Sequence, residues 1–121
     1  MGSGPRLELR DISVRFGGIV ALDAVEFDVM PAEVLGIIGP AGAGKTTFLR
    51  TLNRLNDLEP GVRVEGQVQI DGVDIYQPGY DVVQLRKRVG MLFALPAPLP
   101  MSIYENVVYG VRLSGIVFND V

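Results

Sequence analysis

The chain has 121 residues, with 14 acidic and 11 basic side chains and a formal net charge of −3; its pI is about 4.8 and its mean hydropathy +0.30. That length suits one domain. The 48% hydrophobic content supplies a core and argues against disorder, while an acidic balance without a basic stripe excludes nucleic acid as a main partner. There is no cysteine and no histidine, which excludes disulfides, thiolate metal sites and any imidazole base within this chain.

The opening "MGSGPRLELRD" lacks the apolar stretch of a secretory signal, and Arg6 spoils a myristoylation pattern. No apolar run reaches the roughly 18 residues that span a bilayer. A cytoplasmic protein is expected, with apolar surface available for docking on a membrane partner.

Residues 6–16, "RLELRDISVRF", alternate as a strand. Leu7 and Leu9 share one parity and Ile12, Val14 and Phe16 the other, so a bulge is expected near Arg10–Asp11. Gly17–Gly18 reads as a turn, and alternation resumes over 19–29, giving an antiparallel pair. After Pro31, "EVLGIIG" (33–39) is a short apolar run bounded by glycine, the pattern of a strand buried on both faces. From Thr46 the period becomes helical, with Phe48, Leu49, Leu52 and Leu55 on one face.

"GQVQIDGVDIY" (66–76) carries an Asp71-Gly72 hairpin turn between alternating runs. Asp81 to Arg88 is a short helix, and "VGMLF" (89–93) a second buried strand. Pro96, Pro98 and Pro100 then hold residues 95–100 extended. Ser102 opens the last helix with a capping box completed by Glu105, and Ile103, Val107 and Val111 form its apolar face.

One motif carries chemistry. "GPAGAGKT", Gly39-Pro40-Ala41-Gly42-Ala43-Gly44-Lys45-Thr46, matches the phosphate-binding loop G-x-x-x-x-G-K-[ST]. Gly39, Gly42 and Gly44 permit backbone conformations closed to other residues, so that successive N–H groups and the following helix N-terminus cradle phosphates. Lys45 supplies a mobile charge to the β- and γ-phosphates, and the Thr46 hydroxyl a Mg²⁺ ligand. A chance match is on the order of one per cent at average residue usage. Asp71 follows the apolar run of a strand, as a second metal carboxylate would, but Asp before Gly in a hairpin is ordinarily a turn residue.

With "GPAGAGKTTFLRTLNRLNDL", "VEGQVQIDGVDIY" and "LRKRVGMLFALPAPLPMSIYENVVYGVRLSG", residues 6–115 resemble the ATP-binding subunit of ABC transporters. The segment "PAPLPMSIYENV" is more specific and favours ATPases of phosphate-specific importers. The resemblance implies an α/β P-loop NTPase fold of the ABC ATPase type, with an N-terminal antiparallel β-subdomain over about 6–30, a P-loop core over 31–93, and a glutamine-loop region with the start of a helical subdomain over 94–121. It implies ATP and Mg²⁺ as cofactors, adenine stacked on Phe16, phosphates held by residues 39–46, and a further contact from Thr47 on the α-phosphate side.

The implied partners are a second nucleotide-binding subunit, as a homodimer, and transmembrane permease subunits meeting residues Leu95–Tyr104. The implied location is the inner face of the cell membrane. The family's catalytic glutamine position is occupied here by Ala94, whose methyl group neither coordinates nor hydrogen-bonds. The signature motif, second carboxylate strand and switch histidine of the family are expected beyond Val121, so that this chain corresponds to about the first half of such a domain. The alternatives are a nucleotide-binding or interaction module without turnover, the ATPase subunit of another ABC importer, and a kinase or GTPase using the same loop. Antiparallel strands before the loop argue against the last.

Overall fold

A strand whose apolar parity switches midway can bury both sets only if one residue is looped out, and this organises the whole sheet. The computed structural model describes residues 4–116. Strand β1 (Leu7–Phe16) pairs antiparallel with β2 (Ile19–Val29), and the register slips between Leu9 and Ile12. Asp11 takes the left-handed conformation, with φ 51°. The bulge lets Leu9, Ile12 and Val14 all face the core, each fully buried. A second irregularity follows in β2, where Ala24 has φ 48° and its N–H donates to Ser13 Oγ at 2.9 Å.

Helix α1 (Lys45–Leu52) comes next, then a 3-10 turn over Leu55–Leu58. Strand β3 (Val62–Ile70) pairs antiparallel with β1 and also bridges the bulge, which falls opposite Gly66. Gly66 has φ +99°, and a Cβ there would lie 2.3 Å from the Asp11 carbonyl oxygen. Only glycine fits. Strand β4 (Val73–Asp74) closes the expected hairpin, with Ile70 opposite Val73 and both turn residues, Asp71 and Gly72, at positive φ, as a two-residue turn requires. The sheet order is β2-β1-β3-β4.

Helix α2 (Val82–Arg88) is capped by the Asp81 side chain, which accepts from Gln84 N. Phe48 of α1 and Leu85 of α2 join Leu9, Ile12, Val14, Val68, Ile70 and Ile75 in one core, and the Phe27 and Phe48 rings lie 5.0 Å apart. The chain divides into two compact units, the first ending at Met91 and the second beginning at Leu92. The second contains helix α3 (Ile103–Leu113), whose cap is the expected one: Ser102 Oγ accepts from Glu105 N.

Three expectations fail. Residues 33–39 form no strand; Val34 and Ile38 are each 96% exposed. The "VGMLF" segment likewise forms no strand, and Leu92 is 96% exposed. A parallel strand draws its stability from neighbours on its edges and layers on both faces. Among the described residues the four strands pair only with one another, so these two runs have nothing to join. In α1 the expected face packs through Phe48 and Leu52 while Leu49 stays exposed, and in α3 the face is rotated, with Val108 the buried residue and Ile103 and Val107 exposed. Residues 117–121, the end of the expected third region, lie outside the described residues.

Candidate functional site

Gly42 and Gly44 adopt φ +80° and +97°, so the loop coils into the start of α1 through conformations that favour glycine. At Gly44 the approach is also close: a Cβ there would lie 2.8 Å from the Ala21 carbonyl oxygen and 3.1 Å from Leu22 Cδ2. Gly39 corrects the sequence reading. It has no positive φ, and an added Cβ would make an ordinary 3.4 Å contact with Ala43 Cβ.

Lys45 turns its ammonium back over the loop, donating to the carbonyl oxygens of Gly39 at 2.5 Å and Pro40 at 2.8 Å. The chain is thereby closed into a ring of about seven residues with a positive charge at its mouth. Thr46 is exposed and Thr47 half-buried at the first turn of α1. Ala41, Gly42, Gly44, Lys45, Thr46 and Thr47 line a cleft of about 520 Å³ whose opposite wall is Ile19, Val20 and Ala21 of β2. An ammonium, a hydroxyl and a glycine-shaped backbone cradle at a helix N-terminus fit a polyphosphate with its divalent ion.

Phe16 is placed differently. It ends β1, opposite Ile19 on one side and Val62 on the other, and packs half-buried against the core. Its near neighbours Ile19 and Val20 line the cleft, 72% and 50% exposed. Ala94 is exposed and lies in the second unit. Asp71 serves the hairpin and two ion pairs, with Arg6 Nε at 2.9 Å and Arg88 Nη2 at 2.6 Å.

The far end of α1 holds a polar network absent from the sequence reading. Thr51 Oγ1 donates to the Thr47 carbonyl at 2.7 Å, and buried Asn56 donates through Nδ2 to that same carbonyl and to Thr51 Oγ1, each at 2.9 Å. The Tyr76 hydroxyl donates to the Thr51 carbonyl at 2.8 Å. Arg86 donates to the carbonyls of Asn53 and Arg54, at 3.3 and 3.0 Å, placing a cation where the helix dipole favours one. Arg54 lies over the Tyr76 ring at 5.0 Å. Burial, with Asp57 adding to it, pushes the Tyr76 phenol well above its ordinary pKa. The helix that carries the phosphate loop is thus pinned at its C-terminal end by three side chains from outside it, Asn56, Tyr76 and Arg86, together with its own Thr51. No periodic signal marks them; the hint was polar Asn53 and Asn56 among apolar neighbours.

In the second unit the side chain of Asn106 bonds back to the proline connector. Oδ1 accepts from Leu99 N at 2.9 Å, and Nδ2 lies within hydrogen-bonding distance of the carbonyls of Leu99, Met101 and Ser102, at 3.2, 3.1 and 2.9 Å. Leu95 is 83% exposed, Leu99 and Met101 40% each. Among the described residues no helix is long and apolar enough to cross a membrane.

The chain is similar to known proteins over most of its length. The ABC transporter family model matches residues 22–119. A phosphate import ATP-binding protein PstB 1 of Streptococcus pyogenes serotype M4 (strain MGAS10750) is 50% identical over 116 residues, which is 96% of this chain and 46% of that protein. The protein of the same name from serotype M3 (strain ATCC BAA-595 / MGAS315) is 51% identical over 112 residues, 93% of this chain and 44% of its own length. The chain spans less than half the length of these curated relatives. With its phosphate loop opening α1 beside an antiparallel sheet, it belongs to the ABC transporter family, as a P-loop NTPase of the ABC ATPase type.

Proposed function

We propose that this chain is the ATP-binding portion of an importer ATPase that energises uptake of inorganic phosphate. The observation that carries the reading is the Gly39–Thr46 loop wound around Lys45 at the mouth of the cleft, in a chain 50% identical to proteins named for phosphate import. Lys45 and the loop N–H groups hold the polyphosphate; Thr46 offers its hydroxyl to Mg²⁺, which would neutralise phosphate charge; Thr47 adds a contact toward the α-phosphate. Phe16 stacks on the adenine, a role for which its half-buried position requires the ring to turn toward the cleft wall formed by Ile19 and Val20. The nucleotide lies between two such subunits, and residues Leu95–Tyr104 meet the permease on the inner face of the membrane.

Lys45→Ala tests the nucleotide reading. Removing the charge partner of the phosphates lowers MgATP affinity by about tenfold or more, as read by titration calorimetry; unchanged affinity overturns it. A second reading, a nucleotide-binding module without turnover, is favoured by Ala94, which leaves no side-chain group to touch metal and attacking water at the glutamine position. ATP hydrolysis by this chain, abolished by Lys45→Ala, would refute that second reading.

A further inference from the structure

Residues 96–101 read Pro-Ala-Pro-Leu-Pro-Met. Prolines lack a backbone N–H, so this segment has donors only on Ala97, Leu99 and Met101. Two of the three are used internally. Leu99 N donates to Asn106 Oδ1, and Met101 N donates to the Leu99 carbonyl at 2.7 Å, an i to i+2 turn around Pro100. The carbonyls of Leu99, Met101 and Ser102 face the Asn106 amide. One helical side chain therefore faces four backbone polar groups between Leu99 and Ser102. Asn106 sits four residues after the Ser102 cap, so α3 and the bend form together.

We infer that Asn106 is the positioning residue of the connector, and that it decides how the connector is read. With prolines at 96, 98 and 100 and the Leu99 and Met101 amides already bonded, the segment has only the Ala97 N–H left to donate to an added β-strand, whose affinity comes from main-chain hydrogen bonds. What remains outward is apolar side chain: Leu95, Leu99 and Met101. The occupant is a surface of apolar side chains on the permease partner, not an edge strand. That identity rests on the docking reading above; the ordering role of Asn106 does not. A bend ordered in advance loses less conformational freedom when a partner binds.

The test uses the full chain with Asn106→Ala and Asn106→Asp. Alanine is the better helix former, and Asp suits the first turns of a helix, so a residue serving only α3 would be neutral or improved by either change. The expected result is faster amide exchange at Leu99 in Asn106→Ala, by about tenfold for the lost bond to Oδ1. In both variants exchange also quickens at Met101, whose bond to the Leu99 carbonyl depends on the bend that the Nδ2 contacts hold, with amides of Val108–Leu113 and MgATP affinity unchanged. Unaltered exchange at Leu99 in Asn106→Ala overturns the inference. Binding to vesicles carrying the permease separates the two layers. Weaker binding of both Asn106 variants and of Leu99→Asp supports recognition through side chains. Faster exchange with undiminished vesicle binding by all three keeps the ordering role and removes the docking reading. Retained binding by Leu99→Asp with loss in the Asn106 variants overturns recognition through side chains.

Discussion

The β1–β3 sheet and the 34–38 segment are made of the same residue types, yet one is a core and the other is solvent-exposed. Leu9, Ile12, Val14 and Val68 are fully buried, whereas Val34 and Ile38 are each 96% exposed. The difference is where the hydrogen-bonding partner lies in sequence. β1 finds β2 after a two-residue turn and β3 within the same unit, so alternation and turn chemistry suffice. A run buried on both faces needs neighbours from distant parts of a chain, and its apolar content alone does not supply them.

Four measurements of stability break or sharpen that contrast, two of them as a matched pair. Gly66→Ala should have the largest effect, on the order of 5 kcal/mol and enough to prevent assembly of the sheet, because an added Cβ meets backbone and not a movable side chain. Recovery of a cooperative denaturant transition near the parent midpoint would show that the bulge can be rebuilt.

Leu9→Ala should cost about 2–5 kcal/mol, whereas Ile38→Ala should stay within about 0.5 kcal/mol. Equal losses would mean that 34–38 is packed in solution, and the contrast would collapse.

Tyr76→Phe should cost about 1 kcal/mol through the lost bond to Thr51. It also has a pH signature. Burial raises the folded pKa of Tyr76, so its neutral form is favoured in the fold. The associated stability is present below the ordinary value of about 10 and is lost as pH climbs from there toward the raised folded pKa. Urea titrations across that range should show a steeper alkaline decline in the parent than in the Phe variant.

Much of the fold was legible because its signals are local. The parity switch between Leu9 and Ile12 announces the bulge, Asp71-Gly72 the hairpin, and Asp81 and Ser102 the two helix starts. The phosphate loop was legible because its chemistry demands fixed spacing. Period without phase misled the last helix: 103, 107 and 111 share a face, but the buried residue is Val108. Asn56 and Asn106 were not legible. Each acts through side-chain bonds to carbonyls four to nine residues away, and such bonds leave no repeat in the sequence. Phe16 shows the opposite case, a position assigned by resemblance whose ring the structure packs against the core.

The two bonds from Lys45 to the carbonyls of Gly39 and Pro40 have a consequence for how the loop handles its ligand. The ammonium acts as an internal template, so under the proposed function phosphate would arrive as a competitor that exchanges places with two neutral oxygens. Binding is then a ligand swap on a cation already in position, with little chain to reorganise. It follows that charge removal at Lys45 unwinds the host as well as weakening the guest, and that an amine-reactive probe at this position would report the swap directly as a change in side-chain accessibility.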